Sequence, residues 1–201
     1  MTAVYPSSWK VRPLGMVATL QRGFDLPVQD RTEGNVPVFA ANGPIGTHGA
    51  AKATGPGVVT GRSGTLGAVH YVESDFWPLN TSLYVADFHG NEPRWVARLL
   101  AWMHLETHTR GTSVPTLNRN LVHVVPVAVP PLDEQQRIAD ILDRADALRR
   151  QRRESLRLLE ELLRATFLEM FGDPVSNPRG WAEARLGDAA DIASGVAKGK
   201  K

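Results

Sequence analysis

Residues 133–171 hold neither glycine nor proline, whereas residues 1–131 carry most of both. A run of about 39 residues without a backbone breaker is far longer than a strand, which averages about five or six residues. Its apolar positions recur at helical spacing. The run therefore predicts a single helix, about 58 Å long at about 1.5 Å per residue. Asp133 with Gln136 fits a capping box just after Pro130-Pro131. Gly172 supplies a C-cap and Pro174 a stop. Seven-residue columns run through the helix. Leu142, Leu156, Leu163 and Met170 share one with Arg149; Ile141, Leu148 and Leu162 share the next with Ser155; Ala145 and Leu159 share a third with Arg152. The seam is sustained but interrupted by polar residues at 149–155.

An amphipathic helix can simply cover the core of its own domain. This one is too long for the region before it to bury. A seam of that length left in water is an aggregation hazard, so it is expected to pair with a second helix. Ile141, Leu142, Leu148, Leu156, Leu159 and Leu163 are the pairing candidates. Arginines and acids in the segment nearly cancel, with Asp140–Arg144 and Glu160–Arg164 as expected intrahelical pairs. Spacing and docking suit such a helix better than binding phosphate.

The preceding region reads differently. Val36-Pro-Val-Phe39-Ala, Gly57-Val-Val-Thr60, Ala68-Val-His-Tyr-Val72, Ser82-Leu-Tyr-Val85 and Val122-His-Val-Val-Pro-Val127 are short, β-branched or aromatic, and bounded by turn residues, which predicts strands. A helix is expected over 93–103, opened by Pro93, and a shorter one over 14–20. The fold class is α+β: a β-rich domain over 1–131, one long coiled-coil-type helix over 132–172, and a third region, 173–201, opening with a hinge.

That third region begins to repeat the first. Residues 6–23 align without a gap on 178–195: Pro6 on Pro178, Trp9 on Trp181, Leu14-Gly15 on Leu186-Gly187, Ala18 on Ala190, Leu20 on Ile192, Gly23 on Gly195. The period is domain-sized. One complete unit is followed by the start of a second.

With no cysteine, the chain has no disulfide framework, thiol nucleophile or thiolate metal site. A formal charge of +2 is compatible with a nucleic-acid partner without demanding one. Neither a signal peptide nor a membrane span is read from the sequence, so a cytoplasmic location is the expectation.

The run Gly111-Thr-Ser-Val-Pro-Thr-Leu117-Asn…Val125-Pro-Val-Ala-Val-Pro130-Pro131-Leu132-Asp-Glu134-Gln135-Gln136-Arg137-Ile138-Ala-Asp-Ile141-Leu142 resembles the junction between target recognition domain and conserved helix in the specificity subunit of Type I restriction–modification enzymes. Trp9…Leu14-Gly15, Gly61-Arg62-Ser63-Gly64-Thr65-Leu66-Gly67 and the order of regions match the same family. The resemblance implies a non-catalytic subunit. Two recognition domains each read half of a split DNA target, and two long antiparallel helices fix the gap between halves. It implies double-stranded DNA and a modification (methyltransferase) subunit as partners, with an ATP-driven restriction subunit joining them. No cofactor is expected in this chain; S-adenosylmethionine, ATP and Mg belong to the partner subunits. Family members usually carry two full units. A chain with one unit and a stub is either a truncated product or a half-subunit that forms a homodimer through the long helix.

Under that reading, DNA contacts fall in the loops. Arg62, Ser63 and Thr65 sit among glycines that allow close backbone approach, and an arginine there can reach guanine or a phosphate. A β-turn with a surface arginine is the structural alternative. Arg110, Thr112, Ser113, Thr116, Asn118, Arg119 and Asn120 form a second cluster, against the alternative of a solvated loop. Asn42 and Lys52 lie in a third glycine-rich stretch with His48, while Asn80 and Thr81 read as turn residues.

Two other functions compete. One is a structural adaptor whose helix dimerises and whose β-rich domain binds a protein. The other is a metal-dependent hydrolase on His104 and His108, which lacks a third ligand and the zincin glutamate directly after the first histidine. Gly61 to Gly67 lacks the lysine of a phosphate-binding loop, Ser63 is not in a nucleophile elbow, and Pro130-Pro131-Leu132 is not an amino-methyltransferase motif.

Overall fold

The computed structural model describes residues 5–110, 115–191, 193 and 195. In chain order the strands are β1 (Lys10–Pro13), β2 (Thr19–Arg22), β3 (Val36–Ala40), β4 (Gly43–His48), β5 (Gly57–Gly61), β6 (Val69–Val72), β7 (Trp77–Pro78), β8 (Ser82–Asp87), β9 (Thr109–Arg110), β10 (Thr116–Leu117) and β11 (Pro126–Val129). The α-helices are α1 (Pro93–Trp102), α2 (Arg119–His123), α3 (Leu132–Phe171) and α4 (Leu186–Ala189). The chain divides into two compact units, 1–145 and 146–201, so the boundary falls inside α3.

The first unit is built on a four-stranded sheet in the order β2-β8-β5-β6, antiparallel throughout. A three-stranded sheet, β4-β3-β7, and the ribbons β1-β11 and β9-β10 complete it. β5 is buried along its whole length, as its Gly57-Val-Val-Thr-Gly61 sequence suits. One apolar cluster gathers Leu14, Leu20, Val58, Leu83, Val96, Leu100, Val122 and Ala139. A second, around Phe76 and Tyr84, is aromatic: Phe39, Phe76 and Tyr84 meet edge to face with centroids 6.1 and 6.3 Å apart.

The strands expected at 36–40, 57–60, 68–72 and 82–85 are present, as is α1, whose first turn is capped by the Glu92 carboxylate accepting from the Arg94 N–H. Three expectations are corrected. The segment read as a short helix over 14–20 is a 3-10 turn, Leu14–Met16, followed by β2. The run from Val122 to Val127 is not one strand; Asn118 accepts from the Asn120 N–H, and this cap starts α2, so β11 begins only at Pro126. And α3 begins at Leu132, which places Asp133 inside the helix rather than at its cap.

The Asp133–Gln136 box is replaced by a different device. Gln135, 2% exposed, accepts from the Glu92 N–H (2.9 Å) and donates through Nε2 to Asn91 Oδ1 (2.8 Å) and Pro130 O (2.9 Å). Trp9 Nε1 donates to Glu134 Oε2 at 3.0 Å. Arg94 reaches Asp140 (2.8 Å) and Asp143 (3.2 Å), and Arg98 reaches Asp143 at 2.7 Å. Asp140 is therefore bound across to α1 rather than to Arg144 as expected. The Pro-Pro-Leu-Asp-Glu-Gln-Gln motif fixes the start of α3 to Trp9, just before β1, and to Asn91 and Glu92, just before α1.

In the second unit α3 continues to Phe171. Gly172 takes a left-handed φ of 75° and its N–H returns to Leu168 O at 2.8 Å, the C-cap expected from the sequence. Trp181 Nε1 donates to Phe171 O at 2.8 Å, and the Arg179 guanidinium donates to Glu169 O, so two residues of the repeated segment satisfy end carbonyls of the helix. Intrahelical pairing centres on Arg157, which holds both Glu154 and Glu161.

Candidate nucleic-acid interface

Where β5 leaves the four-stranded sheet, the chain must turn without room for side chains. A Cβ on Gly61 would stand 1.9 Å from Thr65 O, and Gly64 has a φ of 84° that favours glycine. The Gly61–Gly67 stretch thus folds as a tight loop, and the main chain of Arg62 and Ser63 donates to Thr81 O at 2.9 and 3.2 Å. Ser63 bridges to Thr116, and Leu117 N–H donates to Arg62 O at 2.8 Å. Two loops about fifty residues apart in sequence are thereby joined.

Their meeting creates a cleft of about 410 Å³ lined by Arg22, Arg62, Leu83, Thr116, Leu117, Asn118, Arg119 and Asn120. Three guanidiniums converge there with two amides and a hydroxyl, and none of these lining residues is acidic. Arg62 Nη1 is steadied by Asn80 O at 3.4 Å, and Arg119 Nη1 by Leu20 O at 3.5 Å. Those bonds use one donor of each guanidinium and leave others to face the cleft. Asn118 spends its carbonyl on capping α2, which leaves its NH₂ group as the hydrogen-bonding end for a ligand.

Beneath the cleft, the Leu20 N–H donates to His123 Nε2 at 2.9 Å, which requires that nitrogen to be unprotonated. Burial lowers the pKa of His123, and the nearby Arg119 charge lowers it further. Gly15 lets α2 approach: a Cβ there would meet His123 Cβ at 3.1 Å.

The expected contacts divide. Arg62, Thr116, Asn118 and Arg119 line the cleft; Ser63 and Thr65 lie on the loop that forms one wall. Thr112 and Ser113 fall outside the described residues, as does the side chain of Arg110, whose backbone pairs with Thr116 in the β9–β10 ribbon. Asn42 is exposed on the β3–β4 turn. Lys52 sits elsewhere, its ammonium 5.9 Å from the Phe24 ring centre and 5.5 Å from that of Trp77. His48 is buried, accepts from the Thr32 N–H at 3.0 Å and abuts Trp77, so its role is structural. His104 contacts Glu106 at 3.3 Å, and His104 and His108 both line an apolar cavity with Trp102 and Met103. The sequence reading missed Arg22. It lies at the exposed end of β2, inside the segment that had been read only as half of the repeat.

All six helix-pairing candidates are exposed to some degree, from Leu142 at 39% to Leu163 at 73%, and Leu142 also lines that apolar cavity.

Comparison with known proteins gives a consistent picture. The family described as Type I restriction modification DNA specificity domain matches residues 6–158. No curated protein matches the chain. Among solved structures, the specificity subunit of a Type I restriction–modification system from M. genitalium is 18% identical with a TM-score of 0.61, over 81% of this chain and 45% of that one. The HsdS subunit from Thermoanaerobacter tengcongensis is 21% identical with a TM-score of 0.61, over 85% and 46%. A chain from a study of complex assembly and conformational transition of the Type I system is 21% identical with a TM-score of 0.65, over 82% and 46%. These likenesses establish a shared fold, and the chain spans a little under half the length of each. Among the described residues no helix is long and apolar enough to cross a membrane.

Proposed function

The chain belongs to the Type I restriction–modification DNA specificity domain family, and from that premise we propose that its first unit reads one half of a bipartite DNA target, without chemistry of its own, on behalf of a modification subunit that docks on it. The cleft of Arg22, Arg62 and Arg119 with Asn118, Asn120 and Thr116 carries the proposal. Guanidiniums pair bidentately with guanine or bind phosphate, and amides pair with adenine. Ser63, Thr65, Arg110, Thr112, Ser113, Asn42 and Lys52 are further proposed DNA contacts.

The seam of α3 is proposed to pair with a second such helix, from another copy of the chain or from a second unit. Its support is the row of exposed leucines from Leu148 to Leu163. S-adenosylmethionine, ATP and Mg are assigned to the partner subunits, the restriction subunit among them, and the assembly to the cytoplasm.

The test is reconstitution with the cognate modification subunit, followed by mapping of methylated sites. Methylation confined to one motif is expected; methylation of all sequences alike overturns the reading. Arg62→Gln and Arg119→Gln should each weaken binding to the preferred site by about 1–3 kcal/mol relative to random DNA.

A further inference from the structure

Arg149, Arg150, Arg152 and Arg153 place four guanidiniums within five residues at the middle of α3, and all four are exposed. A helix normally answers such charge with acids three or four residues away. Here those positions hold mostly the arginines themselves: 149 with 152 and 153, 150 with 153, and 153 with Arg157. Like-charged neighbours at these spacings destabilise a helix. The acids within reach are Asp146 and Glu154, and Glu154 is already held by Arg157 at 2.6 Å. Arg152 and Arg153 have no carboxylate three or four residues along the helix, and Arg149 and Arg150 share Asp146.

The block also stands where the apolar seam should run. Arg149 occupies the column of Leu142, Leu156, Leu163 and Met170, and Arg152 that of Ala145 and Leu159. A second helix laid along the seam meets leucines on either side of the block and guanidiniums in the middle. Two copies crossed antiparallel about their midpoints would bring both blocks together. A polyanion at that point removes the conflict.

We infer that these four arginines contact the sugar-phosphate backbone of duplex DNA outside the bases read by the cleft, so that α3 is a basic cradle at its centre and a helix-pairing surface on either side. The inference rests on the proposed DNA-reading function. It favours DNA over an acidic protein because that function already supplies the polyanion, and a guanidinium fork binds a phosphate without regard to sequence.

Every phosphate contact adds to the salt dependence of binding, so the difference in slope between wild type and a variant of the block isolates this contact. The 40-residue helix is about 60 Å long at about 1.5 Å per residue, equal to roughly 18 base pairs at about 3.4 Å each. The assembled complex with its modification subunit is titrated on a duplex longer than roughly 30 base pairs and on one of roughly 10. Replacing all four arginines by glutamine, a good helix former, should lower the slope of log affinity against log salt by about 3–4 on the long duplex. The short duplex and the preferred motif should be unaffected. The corresponding four-lysine variant should restore the slope, since point charges suffice. A wild-type slope in the glutamine variant, with helicity intact, overturns the inference while leaving the reading function standing. Loss of subunit docking with an unchanged slope overturns it in favour of an acidic protein partner. Failure of the wild-type complex to bind DNA overturns both.

Discussion

Gln135 shows how much one side chain can hold. It is buried, and its amide answers the Glu92 N–H, Asn91 Oδ1 and Pro130 O at once. Gln135→Leu keeps the volume but strands the Glu92 N–H and the carbonyl oxygens of Asn91 and Pro130, of which the buried backbone pair costs about 1–3 kcal/mol each. Thermal or urea unfolding should therefore show a loss of about 2–4 kcal/mol, whereas Gln136→Ala, one residue on and exposed, should change stability by less than about 0.5 kcal/mol. Equal effects at the two positions would refute the lock between head and helix. His123 acts through its protonation. Its folded pKa, like that of half-buried His70, lies below the unfolded value of 6.5. Above that value both residues are neutral in either state and stability is full. As pH falls through it, the unfolded chain binds protons that the folded chain refuses, so stability falls until the folded pKa values are passed. The urea midpoint should drop as pH falls through 6.5. His123→Gln, which keeps an acceptor for Leu20, should flatten that drop, and a midpoint independent of pH would exclude this role for both histidines.

At the scale of elements, α3 is where pairing is tested. Leu163→Glu puts a carboxylate into the seam, and an unpaired charge buried at an interface costs roughly 3–5 kcal/mol, about a hundredfold or more in affinity. Sedimentation should show the pair dissociated while the near-ultraviolet circular dichroism of the first unit is retained; an undisturbed pair would show that the seam lies elsewhere. That α3 is one helix was readable because nothing in 133–171 breaks the backbone. The sheets were less readable. Individual strands announce themselves by β-branched runs, but β1 pairs β11 across more than a hundred residues, Lys10 facing Val129, and no local pattern encodes such a partner. α2 was hidden by Val122-His-Val-Val, which reads as strand; the Asn118 cap and the burial of Val122 in the main core decide otherwise. The cleft was half readable. Arg62 and Arg119 stand in loops with the right chemistry. Arg22 became visible only when the fold brought the end of β2 to the same place.

For the whole molecule, the repeat carries the consequence. Leu14 opens a 3-10 turn and Leu186, its counterpart in the repeat, opens the short helix α4, yet the first is fully buried among Val96, Leu100 and Val122 whereas the second is 67% exposed. Trp9 and Trp181 likewise hold opposite ends of the same helix, through Glu134 and through Phe171 O. The repeated segment thus contacts the end of α3 as the first copy contacts its start, which agrees with the proposal that two reading heads act together. If two copies of this chain supply the pair, both heads are identical and their target is an inverted repeat, separated by a gap that the helix sets. Inserting one heptad between Arg153 and Glu154 lengthens each helix by about 10.5 Å, or roughly 3 base pairs, and keeps the seam in register. Sequencing of methylated sites should then show the same two inverted halves with a gap longer by roughly 3 base pairs. Unlike halves would exclude the paired copies, and an unchanged gap would exclude α3 as the element that measures it.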